Sequence, residues 1–470
     1  MNDFVDHMSF GGGSTATVLH PMAVAAVLAA LCAMLMLPRR YSASALLLGL
    51  LLIPRGQQLL VGGVHLYVSR LLIMGGWIIC GSIRTSVDPN TSRFTLVDKL
   101  FLAWAITEAL ASVLLFQQVG AIVNQIGVLW DGLGGYFLLR RLILNEDDMA
   151  TTIKGMAVVA FICGLAMAKE HFTGIDAFGF LGGVRQVLEV RNGTPRAEGP
   201  FAHALLAGTY GATLPPLLLW LWQRGSAAVA VLGLIGSTLM ASTTMCSSPI
   251  LTFVLGTGAI CLWSCRRKMR VFRWGLVGAC VVLQLCMKAP FWFVLGHIDL
   301  TGGSNGWYRA ALVDNFITHF SQWWMLGTTA NRDWADGAMW DACNQFVSEG
   351  VGGGLLSLVL FVALICVCFR WIGIARRSAE GDSSREWCLW LLGVTLFSHI
   401  VAFFGIDYFD QMKFAWYALL AMVVCAAAPG RLLVPAILSP HASDADWWQP
   451  APDISGRMIS AKYAGEVDGV

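Results

Sequence analysis

The chain has 470 residues, 57% of them hydrophobic and 13% charged, with a net charge of +2 and a mean hydropathy of +0.66. Soluble domains average about a quarter charged residues, so this composition excludes an ordinary soluble fold, and nothing in the charge balance points to a nucleic-acid partner. Stretches of about 20 apolar residues recur along the whole length, which predicts an all-α, polytopic transmembrane bundle of about 12–13 helices.

In chain order, Met1–His20 is acidic and Gly-rich, with no Lys or Arg ahead of the first apolar run, and does not read as a cleavable signal peptide. Apolar segments then fall near 20–37, 41–54, 66–83, 95–116, 121–139, 150–168, 203–222, 227–245, 249–264, 274–296, 351–369, 387–405 and 413–429. The 41–54 piece is short enough to be broken or re-entrant. Cations mark alternate connections: Arg39-Arg40, Arg84/Arg93, Arg140-Arg141, Arg224, Arg266-Arg267-Lys268 and Arg370/Arg376-Arg377. The positive-inside rule places these in the cytoplasm. Connections 55–65, 117–120, 169–202, 246–248, 297–350 and 406–412 are then external, as is the N-terminus. The membrane domain is expected over 1–436. Ser439–Val470 is polar with Pro, Gly and Asp, so 437–470 is expected to be a disordered cytoplasmic tail. The 13 cysteines lie mostly inside apolar segments. Cys261-x3-Cys265 and Cys366-x-Cys368 lack partners at zinc spacing and read as small hydrophobes.

Two external loops carry cations against the topological bias: Arg185, Arg191 and Arg196 in 169–202, and Arg309 and Arg332 in 297–350. A bound anion would account for them, since arginine clamps phosphate oxygens bidentately; so would solvation, or pairing with Glu189 and Glu198. A helix over Trp307–Trp324 would put Leu312, Val313, Phe316, Phe320, Trp323 and Trp324 on one stripe, with Arg309 near its middle and Asp314, Thr318, Ser321 and Gln322 opposite. A guanidinium there is costly unless an anion or carboxylate meets it, or unless it snorkels to the interface. His319 lies at the edge of the stripe, one turn from Asn315, as a candidate base or a satisfied structural residue. Asp341 and Asn344 stand one turn apart just before the 351–369 segment. They read either as a helix N-cap or as a carboxylate that takes a proton from a hydroxyl. Ser242-Thr-Thr244 and Ser247-Ser-Pro249 suit close helix packing.

Several signatures are absent. The first external loop has no acidic pair of the kind a metal-dependent lipid-linked glycosyltransferase uses, and Asp444-x-Asp446 falls in the tail. No Walker, Rossmann or metalloprotease motif occurs. Apart from Lys154, Glu108, Asp131 and Lys288 the apolar segments hold few ionisable groups, fewer than ion-coupled transport favours.

Arg196-Ala-Glu-Gly-Pro-Phe201-Ala-His203 resembles the R-x-x-G-x-F-x-H segment of the O-antigen ligase and O-antigen polymerase superfamily. Gly302-Gly-Ser-Asn-Gly-Trp-Tyr-Arg309, Trp323-Trp324-x2-Gly327-Thr328, Asp341-x2-Asn344-x-Phe346 and Gly350-Val-Gly-Gly353 resemble its long external loop and the helix that follows. The resemblance covers residues 20–430. It implies a GT-C-like fold in the bacterial plasma membrane and a donor carried on undecaprenyl diphosphate. It further implies an acceptor glycan and other polysaccharide-assembly proteins as partners, and neither metal nor cofactor. Carried over by position, Arg196 and Arg309, with Arg191 as a helper, would hold the diphosphate. The family's ligases place a histidine where this chain has Cys343, so Asp341 or His319, supported by Asn344, would serve as base.

Overall fold

The computed structural model describes residues 17–428 apart from 62–63, 83–93, 185, 299, 301–305, 338 and 340. Arg185, Gly302–Asn305 and the tail over 437–470 lie outside the described residues.

The described chain is mostly helical: α1 (Pro21–Met36), α2 (Ser42–Leu52), α3 (Val68–Ser82), α4 (Leu96–Phe116), α5 (Val119–Leu129), α6 (Gly135–Leu142), α7 (Glu146–Thr173), α8 (Ala204–Thr213), α9 (Pro215–Gln223), α10 (Ala227–Thr243), α11 (Ser247–Cys261), α12 (Met269–Cys286), α13 (Gly306–Thr318), α14 (Phe320–Trp323), α15 (Trp334–Gly337), α16 (Gln345–Ser378), α17 (Ser383–Phe403) and α18 (Gln411–Ala427). Six units are long and apolar enough to cross a membrane: α4, α7, the α8–α9 pair, the α11–α12 run, α16 and α17. The chain is a multi-pass helical membrane protein.

Successive passes alternate between two ends. At one end, which we call the basic end, Arg39 meets Asp148 (2.8 Å) and Arg140 meets Asp98 (3.5 Å). There, too, Arg224 pairs with Glu146 and Asp147 (2.8 Å each), and Arg266 and Arg376 share Glu386 (2.8 and 2.9 Å). At the other, the loop end, Gln57 donates to Leu181 and Gly182 carbonyls, Gln411 to those of Ile53 and Pro200, and Leu300 N to Ser247 Oγ. The described cation-rich connections thus gather at one end and the long loops at the other.

Local chemistry sets the ends. Asn145 caps α7 by accepting from Asp148 N (2.8 Å), three acidic residues fill its first turn, and Gly174 in the left-handed region (φ +70°) closes it. Segments expected as single helices break at prolines: α8 and α9 part at Pro215, and the 274–296 segment stops at Cys286, ahead of Pro290 and a 3-10 turn over Phe291–His297. The 121–139 segment contains a π turn over Trp130–Gly134. Two short hairpins modify the all-α expectation, β1 (Gln58–Val61) with β2 (Val64–Tyr67) and β3 (Val190–Arg191) with β4 (Thr194–Pro195).

Inside the bundle, small residues let backbones meet. A Cβ on Gly236 of α10 would stand 2.3 Å from the Ala160 carbonyl oxygen of α7, and one on Gly164 would stand 2.6 Å from the Gly236 oxygen. By contrast α12 has no buried residue. Gly236→Ala is therefore expected to cost about 1–3 kcal/mol through overpacking, read as a lower thermal midpoint in detergent. Gly278→Ala on α12, where a Cβ meets nothing within 4 Å, is expected to leave the midpoint unchanged.

Candidate functional site

The 297–350 loop builds a small core of its own. Leu312, Phe316, Trp323, Trp334, Met339, Cys343 and Val347 are buried together. The continuous stripe expected over Trp307–Trp324 is corrected here. The helix stops at Thr318, His319 interrupts it, and α14 restarts in a different phase, so Phe320 and Trp324 are exposed while Leu312, Phe316 and Trp323 are buried. Trp323 stacks on Phe316 (centroids 3.9 Å) and donates its indole N–H to the Phe316 carbonyl (2.7 Å), satisfying a backbone acceptor that the interrupted helix leaves open. His319 lies flat against Trp334 (5.2 Å) with Nδ1 at the Asn315 carbonyl (2.9 Å). It forms no hydrogen bond with Arg309 or Asp341.

Glycines dock this core onto α16. A Cβ on Gly350 would fall 2.4 Å from the Phe316 ring. Gly354 adopts φ +74°, which interrupts α16 and lets Leu355 N donate to the Trp324 carbonyl (2.8 Å). Asn344, 1% exposed, spends its side-chain oxygen on Phe346 N (2.9 Å) and Val347 N (3.3 Å) as the N-cap of α16.

One charged cluster results. Tyr308 donates to the Asp341 carbonyl (2.6 Å) and accepts from Asp341 N (3.0 Å), which fixes the 341 segment beside the first turn of α13. Arg309, next along that turn, is half-buried, and its Nε is buried with no hydrogen-bond partner. It forms no ion pair among the described residues, yet its charge acts on both Asp341 and Cys343. Partial burial raises the Asp341 carboxyl, and Arg309 opposes the rise. Burial pushes the Cys343 thiol up to about 11, again against Arg309, while Asp341 and Asp407 add to it. Asp407 joins from the 404–410 connection, which is tied to α16 where Tyr408 N donates to Gln345 Oε1 (2.6 Å). Burial, reinforced by Asp341, pushes the Asp407 carboxyl up to about 6.

The 169–202 loop holds the other arginines. Asn192 and Gly193 both take positive φ (50° and 77°), the geometry of a two-residue hairpin turn, and set β3 against β4. The buried Glu170 carboxylate accepts from Ala177, Glu198 and Gly199 N–H groups (3.0, 3.0 and 2.9 Å) and so shapes the Arg196–His203 segment. Arg196 is 3% exposed. It donates to Glu189 (2.9 Å) and to the Cys246 sulfur (2.8 Å), while its Nε has no partner. Arg191 lies 3.7 Å from the same Glu189. His203 caps α8 through Nδ1 (3.0 Å from Leu205 N). Arg196 and Arg309 make no contact with each other. Leu300 N, bonded to Ser247 Oγ (3.1 Å), brings the 297–350 loop to the residue beside Cys246.

The structure thus joins Arg309, Asp341 and Cys343, adds Asp407, and leaves His319 and Asn344 in structural positions. Asp407 was missed because a lone acid in a short connection reads as solvated. Only its place between two apolar segments on the side of the long loops was a signal. Among the described residues no group of three or more His, Cys, Asp or Glu side chains could hold a metal ion. No protein-family model matches the chain, and no curated protein matches it.

Asp407 gives a pH dependence. Its folded value near 6 lies above the ordinary 3.8, so the folded state binds the proton more tightly and protonation favours the fold. Stability from this group is complete below about 4 and is lost as pH rises through about 6. The thermal midpoint of wild type is expected to rise as pH falls between these limits, and Asp407→Asn is expected to flatten most of that rise.

Proposed function

We propose that the chain is a metal-independent glycosyltransferase of the external face of the bacterial plasma membrane, GT-C-like in fold, acting in exopolysaccharide or O-antigen assembly. It moves a glycan from undecaprenyl diphosphate to an acceptor sugar. The observation that carries this reading is Arg309: a half-buried guanidinium with an unpartnered Nε, set against the Asp341 carboxyl, which Asp407 acts on in turn. A cation and a base are thereby gathered at the first turn of α13.

A glycosyl diphosphate is already a good leaving group. The acceptor hydroxyl oxygen bonds to the anomeric carbon, and the bond from that carbon to the diphosphate oxygen breaks, its electron pair leaving with the diphosphate. Arg309 stabilises the charge that develops there. The hydroxyl proton passes to a carboxylate, for which Asp341 is best placed. The Cys343 thiol, up at about 11, stays protonated and is a poor base. That favours a polymerase over a lipid A-core ligase. Arg196 joins the clamp only if it exchanges Glu189 for phosphate, and Arg191, 3.7 Å from the same carboxylate, shares that condition.

In nanodiscs with a synthetic polyprenyl-diphosphate oligosaccharide, an acceptor and a chelator, the purified chain is expected to form product. Arg309→Ala is expected to lower turnover by about 100-fold or more, and Asp341→Asn by about 100- to 10,000-fold, with both variants reaching the membrane in wild-type amounts. Undiminished turnover in Arg309→Ala would overturn the assignment.

One observation favours a second reading, a transporter or flippase of a lipid-linked or anionic saccharide. Glu349 lies buried within α16, accepting from Trp104 Nε1 (2.6 Å), Gln345 Nε2 (2.7 Å) and Ser357 Oγ (3.0 Å), and carboxylates inside spans are a mark of coupled transport. Movement of labelled lipid-linked saccharide across vesicles with no new glycosidic bond would select it.

A further inference from the structure

We infer that the cavity between α2, α3, the π turn and α18 is a binding site for a glycosyl phosphate. It is an open cleft lined by Arg55, Asp131, Asp410, Gln411 and Lys413 against an apolar wall that includes Phe414.

The cavity offers two halves. The first attracts an anion. Asp410 precedes α18 at φ +51° and gives no side-chain cap; its carboxylate pairs instead with Arg55. The first turn of α18 therefore has no side-chain cap at the positive end of the helix dipole, and of its N–H groups Lys413 N donates to the Asp410 carbonyl (3.3 Å). Lys413 adds its cation in that same turn, with Asp131, Glu108 and Asp407 as acidic neighbours. It makes no ion pair or side-chain hydrogen bond among the described residues.

The second half wants hydroxyl donors. Gln411 is 2% exposed. Its amide nitrogen is taken by the Pro200 and Ile53 carbonyls (2.6 and 3.4 Å), which leaves Oε1 buried with no partner. Asp131 gives Oδ2 to Arg70 (3.3 Å), while its Oδ1 is likewise buried with no partner. Buried acceptors of this kind are costly until met. Inorganic phosphate answers only the first half and a neutral sugar only the second; a sugar bearing a phosphate answers both.

The site is separate from Arg309, and its occupancy needs no group transfer, so binding is read with no acceptor present. The full chain in nanodiscs is titrated with glucose 1-phosphate, inorganic phosphate, glucose and a short-chain polyprenyl phosphoglucose, following heat and thermal midpoint. Saturable binding of a glucose phosphate, with inorganic phosphate and glucose each at least about tenfold weaker, is expected. Preference for the soluble or the polyprenyl form identifies which source supplies the ligand. Lys413→Met is expected to weaken binding at least about tenfold and Lys413→Arg to restore most of it. Two results would overturn the inference: no saturable binding by folded protein, or Lys413→Met equal to wild type. Equal binding of inorganic phosphate and glucose 1-phosphate would remove the sugar half and with it the proposal.

Discussion

Hydrocarbon offers no hydrogen bonds, so each backbone segment that crosses it must satisfy its own polar groups, and helices do this. Every other feature of the chain follows from where that requirement ends. Most ion pairs and the strand hairpins collect at the two ends of the bundle. Within it, contact depends on shape, and so on pairs such as Gly164 and Gly236, which bring the α7 and α10 backbones together. The two ends differ in kind. At the basic end arginines neutralise acids on neighbouring passes, which locks connections. At the loop end long segments fold on themselves and leave charges incompletely met.

That incompleteness is specific. Arg309 Nε, Arg196 Nε, Gln411 Oε1 and Asp131 Oδ1 are buried without hydrogen-bond partners, as is Arg140 Nε at the basic end. The 297–350 loop has a core of stacked aromatics, which holds the helix that carries Arg309 in place. A fixed, desolvated cation attracts an anion more strongly than a mobile, hydrated one, because little reorganisation remains to be done.

Much of the architecture was legible because hydrophobic runs and alternating cations report directly on the membrane. Each apolar segment holds helix, and the described cation-rich connections sort to one end as the long loops sort to the other. The finer geometry was less accessible. The apolar stripe of 307–324 continues through His319 in the sequence, and only the stacking of Trp323 under Phe316 and of His319 on Trp334 makes a break there favourable. The hairpin beside Arg191 did have a local sign, the Asn192-Gly193 pair, whose φ preference overrides a helical reading. In the site, Arg309 and Asp341 could be named from residue type and position. Asp407 could not, since its meeting with Asp341 is a product of packing between α16 and the 404–410 connection.

Glu189 carries a consequence for affinity. It already sits on Arg196 as a tethered carboxylate, with 38% of its side chain exposed against 4% for the arginine, and it reaches toward Arg191 as well. An incoming anion at Arg196 does not meet an empty cation; it displaces a resident one held at high effective concentration by the chain. What such a position measures is a difference between two occupants. It would ignore monovalent ions that merely equal a carboxylate and respond to a ligand with more charge, or with oxygens enough to span both arginines at once. A loop built this way would discriminate by valence.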